Sequence, residues 1–370
     1  HYLCTPNLTK NSKHTLYVRF ENFSTNNRYM KTILVTGGAG YIGSHTVVEL
    51  QQQGFNVVIA DNLSNSNENV ISAIEQITRI RPSFVKADLS DGSECKKVFE
   101  QYGDIEAVIN FAAFKAVGES CEKPIEYYKN NLGILLNVLN EMKNRNIKYF
   151  VQSSSCTVYG EPDVLPVKED SPIQNATSPY GNTKQMAEDI LRFTSAAKQI
   201  KAIALRYFNP VGAHDSALIG ELPNGVPNNL MPYITQTAAG IRKQLTVFGN
   251  DYPTPDGTCI RDFIHVVDLA KAHVVAVKRF FENKNKADFE YFNIGTGRGY
   301  SVLELVHSFE KTTGIKLNYK IGERRQGDIT QIWADTNYSE KELGWKAEKG
   351  IDEMTLSAWK WQQHLSDIKA

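Results

Sequence analysis

The chain has 370 residues, with 41 Lys+Arg against 41 Asp+Glu, a formal net charge of +0 and 41% hydrophobic residues. This length allows two domains or one large one with an ample core. The balanced charge, with no Lys/Arg block, excludes the basic surface that nucleic acid or an acidic membrane requires, and no stretch approaches the roughly 18 apolar residues of a membrane span. The five cysteines, Cys4, Cys95, Cys121, Cys156 and Cys259, are scattered, odd in number and without a C-x-x-C pair. That usage belongs to a reducing compartment, so a cytoplasmic location and no metal site are expected. The sequons Asn62-Leu63-Ser64 and Asn175-Ala176-Thr177 are of a kind common by chance and do not argue for secretion.

Residues 1–29 are rich in Asn, Thr and Ser and show neither helical nor alternating periodicity. They lack the apolar run of about 7–15 residues of a signal peptide, and two arginines are too few for a transit peptide. The segment is expected outside the fold, as an upstream or extraneous extension or a disordered arm.

From Met30 onward, apolar strands alternate with amphipathic helices. The run Thr32 to Val35 predicts a strand buried on both faces. A helical pattern follows from Tyr41 to Gln53, with Gly54 placed to end it. Further strands are expected at Asn56 to Ala60, Ser83 to Ala87, Ala107 to Phe111, Tyr149 to Ser153 and Ala202 to Arg206. Helical patterns separate them, at Ile71 to Ile80, Cys95 to Tyr102, Ile125 to Asn146 and Tyr180 to Ala197. Repeated βα alternation predicts a doubly wound parallel sheet, an α/β fold. Periodicity lapses for about 20 residues after Gly160, a length that usually marks a functional loop. Beyond Phe208, dense Gly, Pro and Asn predict a smaller mixed α/β domain at the C-terminal edge of the sheet. The expected division is 30–207 for a cofactor domain and 208–370 for a substrate domain, with some crossing of the chain. Asn293 to Gly297 reads as a turn after a strand of that second domain.

Gly37-Gly38-Ala39-Gly40-Tyr41-Ile42-Gly43 lies between an expected strand and an expected helix. Glycines there allow a tight turn and let backbone N–H groups approach a pyrophosphate at the positive end of the helix. Asp61, at the end of the second strand, suits the ribose hydroxyls of NAD and repels a 2′-phosphate. Asp88-Leu89, after the third strand, stands where an adenine contact is expected, with a helix N-cap as the plain alternative. Tyr180 and Lys184 are four residues apart on one helical face, and Ser155 ends a strand upstream. Lowering a tyrosine from pKa 10 to about 7 requires roughly 4 kcal/mol, whereas an exposed ion pair supplies about 0–1 kcal/mol. Lys184, a cationic nicotinamide and a water-poor site would have to act together.

The order of glycine motif, strand-end serine and Y-x-x-x-K resembles the extended short-chain dehydrogenase/reductase superfamily. Longer strings resemble its UDP-glucose (UDP-galactose) 4-epimerase family: Lys115-Ala116-Val117-Gly118-Glu119-Ser120, Ser153 to Gly160, Leu205 to Ala213, Pro227 to Tyr233 and Arg261-Asp262-Phe263-Ile264-His265-Val266. The resemblance spans Met30 to Gln363. It implies a Rossmann fold, a homodimer, tightly bound NAD and galactose metabolism: reversible C4 epimerisation of UDP-galactose and UDP-glucose through a 4-keto sugar. Tyr180 would be base and later acid, Lys184 its electrostatic partner and Ser155 a hydrogen-bond donor and proton shuttle. The cofactor would be met by Gly37, Gly40, Tyr41, Ile42, Gly43, Asp61, Asn62, Ser66, Asp88, Leu89, Phe111, Lys115, Asn130 and Tyr207, together with Tyr180 and Lys184. The UDP-hexose would be met by Phe208, Asn209, Asn229, Leu230, Thr246, Val247, Phe248, Arg261, Arg325, Asp328 and Ile332, together with Ser155 and Tyr180. Arginine suits a diphosphate because its planar fork donates paired hydrogen bonds.

Related dehydratases and decarboxylases carry acids where this chain has Cys156-Thr157-Val158, so simple epimerisation is expected. In the family, the residue at Ile332 helps set room for an N-acetyl group, and an isoleucine implies poor use of N-acetylated sugars. Alternatives are another nucleotide-sugar epimerase, for UDP-N-acetylhexosamines or UDP-pentoses, and a non-catalytic sensor on the same fold. Intact Tyr180, Lys184 and Ser155 count against the sensor.

Overall fold

The strands Thr32–Thr36 (β1), Asn56–Asp61 (β2), Ser83–Lys86 (β3), Ile105–Asn110 (β4), Tyr149–Ser155 (β5) and Lys201–Tyr207 (β6) form where short apolar runs are bounded by turn residues. In this computed structural model, which describes residues 30–325 and 328–369, they pair in parallel in the order β3-β2-β1-β4-β5-β6. The expected extension 1–29 lies outside the described residues. Side chains alternate across the sheet: Ile33 and Val35 enter one core with Val47, Leu50, Leu269 and Phe280, and Leu34 enters the other with Phe99, Leu135 and Leu191. Burial on both faces is what the continuous apolar strands required. Strand order reverses between β1 and β4, which opens a crevice at the C-terminal strand ends.

The seventh strand of this sheet, Phe289–Ile294, pairs with β6 in parallel. It corrects the reading of Asn293 to Gly297 as a turn belonging to the substrate half. Phe292 and Ile294 are fully buried in the main core, and the pairing register runs from Phe289↔Ala202 to Ile294↔Tyr207. The sheet therefore takes its edge strand from late in the sequence, as it takes the helix Val266–Phe281, which packs against the helix Tyr41–Gln52. Val211, Met231, Ile234, Val247, Phe263, Phe309 and Met354 enclose a separate apolar cluster, while the described residues from Lys31 onward form one compact unit.

Helix ends follow local chemistry. Tyr41–Gln52 stops where Gly54 takes φ +82, with Gly54 N donating to Gln51 O and Phe55 N to Leu50 O at 3.0 and 3.1 Å. Pro179–Ala196 begins with Pro179 in its first turn and Ser178 as N-cap, whose Oγ accepts from Gly181 N at 3.1 Å. The Pro-rich segment after Gly160 is anchored through Val167, which bonds Trp333 O and Asp335 N.

Candidate active site

Gly37 leaves β1 with φ +67, and a Cβ there would stand 2.8 Å from Ala112 N. A Cβ on Gly43 would stand 2.3 Å from Gly37 O. Only glycine lets this turn close against the start of the helix, so the loop presents backbone instead of side chains to the crevice. The Asp61 carboxylate secures the loop, accepting from Ala39 N at 3.0 Å, Leu63 N at 2.8 Å and Ser66 Oγ at 3.0 Å. Asn62 lies half-buried beside it, its Oδ1 accepting from Ser64 N at 3.0 Å. Tyr41 and Ile42 open the helix, and the Tyr41 hydroxyl donates to Gly212 O at 2.7 Å. The residues present fit a dinucleotide: glycines where side chains would obstruct, a helix N-terminus, and a carboxylate at the end of β2.

Asp88 is not a helix N-cap. Its Oδ1 accepts from Ser90 N and Oγ, whereas Asp91 caps the helix Gly92–Gln101; the cap sits three residues farther on because the chain turns once more before the helix starts. Leu89 is buried beside it. Phe111 leaves β4 with its ring 4.7 Å from that of His273. Asn130 donates to Asn131 Oδ1, and Asn131 in turn donates to Phe114 O and Thr183 Oγ1.

Tyr180 sits in the first turn of its helix, where its backbone N–H donates to Ser120 Oγ at 3.2 Å. Ser155 ends β5 with its hydroxyl beside the Tyr180 phenol, and its Oγ accepts from Thr157 N at 3.2 Å. Burial pushes the phenol up to about 12, and the neighbouring Ser155 hydroxyl pulls against it. Lys184 is buried, with Nζ donating to Ser153 O at 2.7 Å and lying 5.6 Å from the Tyr180 ring centroid. Burial lowers this amine to about 8, and the charge of Glu188 one turn on opposes that. The ammonium therefore reaches the phenol through the field of a shared site, with the Ser153 carbonyl as its hydrogen-bond partner. The hydroxyls of Ser153 and Tyr207 bond each other beside it.

The remaining residues surround the same strand ends. Phe208 and Ile332 are buried in one cluster with Cys156 and Val158. Asn209 N donates to Asp262 O at 2.9 Å. Arg261 stands opposite Ile332 in a short parallel pairing, 3.9 Å from the Asp328 carboxylate. Arg325 is exposed with its guanidinium near Gly118. Asn229 precedes Leu230, the first residue of the helix Leu230–Ala238, and its amide donates to Glu221 Oε1 at 2.6 Å. Lys115 bonds the same carboxylate at 3.1 Å. Thr246, Val247 and Phe248 lie on the strand Leu245–Phe248, paired with Tyr319–Gly322 and outside the main sheet. Glu221, Glu188, Arg206 and Asp262 join the site although none belongs to a sequence motif with an expected role. Of these, Asp262 and Arg206 carry a signal, each a charge inside a run that otherwise reads as buried strand. A cleft of about 460 Å³ lined by Glu49, His214, Lys271 and Lys349 shares no residue with this set.

The sequence model of the NAD-dependent epimerase/dehydratase family matches residues 33–295. The chain belongs to that family. Within it, the chain is 51% identical to the UDP-glucose 4-epimerase of Haemophilus influenzae over 90% of its own length and 97% of the relative's. It is 49% identical to that of Drosophila melanogaster, over 90% of this chain and 96% of the relative. Among solved structures, the UDP-glucose 4-epimerase of Bifidobacterium longum in complex with NAD+ and UDP is similar with a TM-score of 0.87 and 47% identity, covering 91% of this chain and 99% of that one. The protein is thus an epimerase of the UDP-glucose 4-epimerase kind on a Rossmann-type sheet.

Proposed function

We propose that the protein interconverts UDP-galactose and UDP-glucose by inverting C4 of the hexose, with NAD held in the crevice between β1 and β4. The observation that carries the reading is the convergence of Tyr180, Ser155 and Lys184 at the end of β5, beside a glycine cradle that only backbone can line. NAD, when bound, supplies a hydride acceptor and donor. Tyr180 takes the proton of the sugar 4-hydroxyl and later returns it to the 4-keto oxygen; Ser155 donates a hydrogen bond to that oxygen, and Lys184 favours the phenolate. The sugar must turn over between the two transfers. Its affinity therefore has to come from the UDP half, which Asn209, Asn229, Arg261, Arg325 and the strand Leu245–Phe248 would hold.

Ile332 is fully enclosed with Phe208 and Cys156, which supports UDP-hexoses without an N-acetyl group as the main substrates. The helices Pro124–Asn144 and Pro179–Ala196 pack side by side and leave Ile125, Leu136, Met186 and Phe193 exposed. These apolar side chains support a homodimer, to be checked by light scattering at micromolar concentration. Cys95, Cys121, Cys156 and Cys259 are free thiols, in keeping with a cytoplasmic setting.

The direct test mixes purified protein with UDP-galactose, without added NAD, and assays UDP-glucose. Turnover by the wild type and loss of about 10²–10⁴-fold in Tyr180→Phe are expected. An inactive wild type, even with NAD supplied, sinks the epimerase reading; an active Tyr180→Phe sinks the mechanism.

A further inference from the structure

Asp262 has no exposed surface, and its neighbours arrive from three separate segments of the chain. Its Oδ1 accepts from Thr296 N at 2.8 Å and from Thr296 Oγ1 at 2.6 Å. Its Oδ2 accepts from Gly297 N at 3.1 Å and from Ala334 N at 3.2 Å. Its main chain is engaged as well: the carbonyl accepts from Asn209 N at 2.9 Å, and the N–H donates to Ile332 O at 3.2 Å. A Cβ on Gly295 would stand 2.4 Å from Oδ2, so the turn after Phe289–Ile294 is a glycine where the carboxylate lies against it.

All four partners of the carboxylate are donors. A carboxylate can satisfy four donors, whereas an amide or a protonated acid turns a hydrogen toward at least one of them. Burial pushes the acid up to about 6, and the Thr296, Ala334 and Gly297 bonds oppose that shift. A buried charge in this setting is costly unless its hydrogen bonds are complete. They are complete, and the segments so fixed are those that carry Asn209, Arg261 and Ile332.

We propose that Asp262 is the positioning residue of the nucleotide-sugar subsite: by joining the turn 295–297 and the segment 332–334 to the strand end at Arg261, it sets where Asn209, Arg261 and Ile332 meet their ligand. The inference rests on the proposed epimerase function and adds to it a residue that touches neither sugar nor cofactor. Asp262 is remote in sequence from the glycine cradle and from Tyr180, and none of its six hydrogen bonds goes to either. Its loss should therefore weaken substrate binding without discharging NAD.

The test uses the full-length holoenzyme in the UDP-galactose assay, with bound NAD measured per chain after acid release. Asp262→Asn places an N–H₂ group against one pair of N–H donors, and KM should rise about tenfold or more while kcat stays within about threefold and NAD content is unchanged. Thr296→Ala removes a single hydroxyl donor and should raise KM about threefold, with Thr296→Ser restoring the wild-type value. This pair decides the matter if Asp262→Asn does not fold. An unchanged KM in folded variants, a fall confined to kcat, or a Thr296→Ser enzyme no better than Thr296→Ala overturns the proposal. Each of those results requires an active wild type, so they are distinct from failure of the epimerase reading.

Discussion

Glu188 and Arg206 form a buried ion pair behind Tyr180 and Lys184, and removing half of it has a calculable effect. Arg206 Nε bonds both carboxylate oxygens at 3.0 and 3.2 Å, and Nη2 bonds Oε2 at 2.6 Å. Nη1 donates to the Tyr159 hydroxyl at 2.9 Å and to Glu169 O at 3.1 Å, and Ser154 Oγ donates to Glu188 Oε1 at 2.5 Å. The side chains are 5% and 10% exposed, so water cannot replace a lost partner. Glu188→Gln keeps the shape but leaves the guanidinium uncompensated, and breaking a buried pair in this way costs about 3–5 kcal/mol. Replacing both residues by methionine removes the stranded charge. What remains is the loss of a partner for Ser154 Oγ and for the Glu169 carbonyl, about 1–3 kcal/mol for each unless repacking spares it, since the Tyr159 hydroxyl keeps its bond to Asn293 Oδ1 at 2.7 Å.

Urea unfolding followed by fluorescence gives the comparison. With a slope of about 3 kcal/mol/M, Glu188→Gln should lower the midpoint by roughly 1–1.7 M, and the double variant should have a midpoint comparable to that of the single although it has lost both partners. Glu188 also raises the pKa of Lys184, so the folded Glu188→Gln enzyme should lose the Lys184 charge at lower pH than the wild type. Its kcat/KM should begin to fall earlier on the alkaline side. A midpoint unchanged by Glu188→Gln would refute the claim that an uncompensated charge is what the substitution creates.

Gly43→Ala would force its methyl to 2.3 Å from Gly37 O and 2.8 Å from Gly38 Cα. The loop would have to open, and the purified variant should carry well under half the wild-type NAD, measured by absorbance after denaturation. Acid should destabilise the protein through its buried histidines. Burial lowers His45 and His265 to about 3 and His273 to about 4, and Nε2 of both His45 and His273 has no partner. Because these folded values lie below the unfolded value of about 6.5, the unfolded chain takes up more protons as pH falls. Their contribution is intact above pH 6.5 and lost below it, roughly 2 kcal/mol each by pH 5. Asp262, raised to about 6, works in the opposite direction, as do Glu49, Glu169 and Asp268, which burial also raises, while His214, lowered by burial, adds to the three histidines. The Tm should therefore drop between pH 6.5 and 5; a flat profile would show that the imidazoles are hydrated or paired in the folded protein.

The cofactor half was legible because its chemistry is local. A strand, a glycine turn, a helix and a strand-end acid occur within Thr32 to Asp61, and each is set by its own neighbours in sequence. Tyr180 and Lys184 were legible for the same reason, since helical periodicity alone puts them on one face. The edge strand Phe289–Ile294 was misplaced because its pairing partner, β6, lies more than eighty residues earlier, and an apolar run carries no mark of which sheet it will join. Asp88 was read as a possible N-cap when Asp91 does that work, since both precede the same helical pattern. Glu188 and Glu221 escaped notice for a related reason. One is an acid on a helix, the other an acid in a loop, and only the fold brings Arg206 to the first and Lys115 and Asn229 to the second.

The electrostatics of Tyr180 sharpen what the sequence could only frame. A tyrosine of ordinary pKa needs about 4 kcal/mol to act as a base near pH 7. Here burial has already moved the phenol up to about 12, so the requirement grows to roughly 7 kcal/mol at 1.36 kcal/mol per unit. Lys184 alone is poorly placed to provide it: its hydrogen bond goes to Ser153 O, and its own amine is lowered to about 8. Burial therefore favours the protonated form of Tyr180 in the free protein. A cationic nicotinamide in the same water-poor crevice would favour the phenolate and strengthen every charge interaction around it. On this account the proposed base is held neutral in the free protein, and a bound oxidised nicotinamide would join Lys184 and Ser155 in favouring its phenolate.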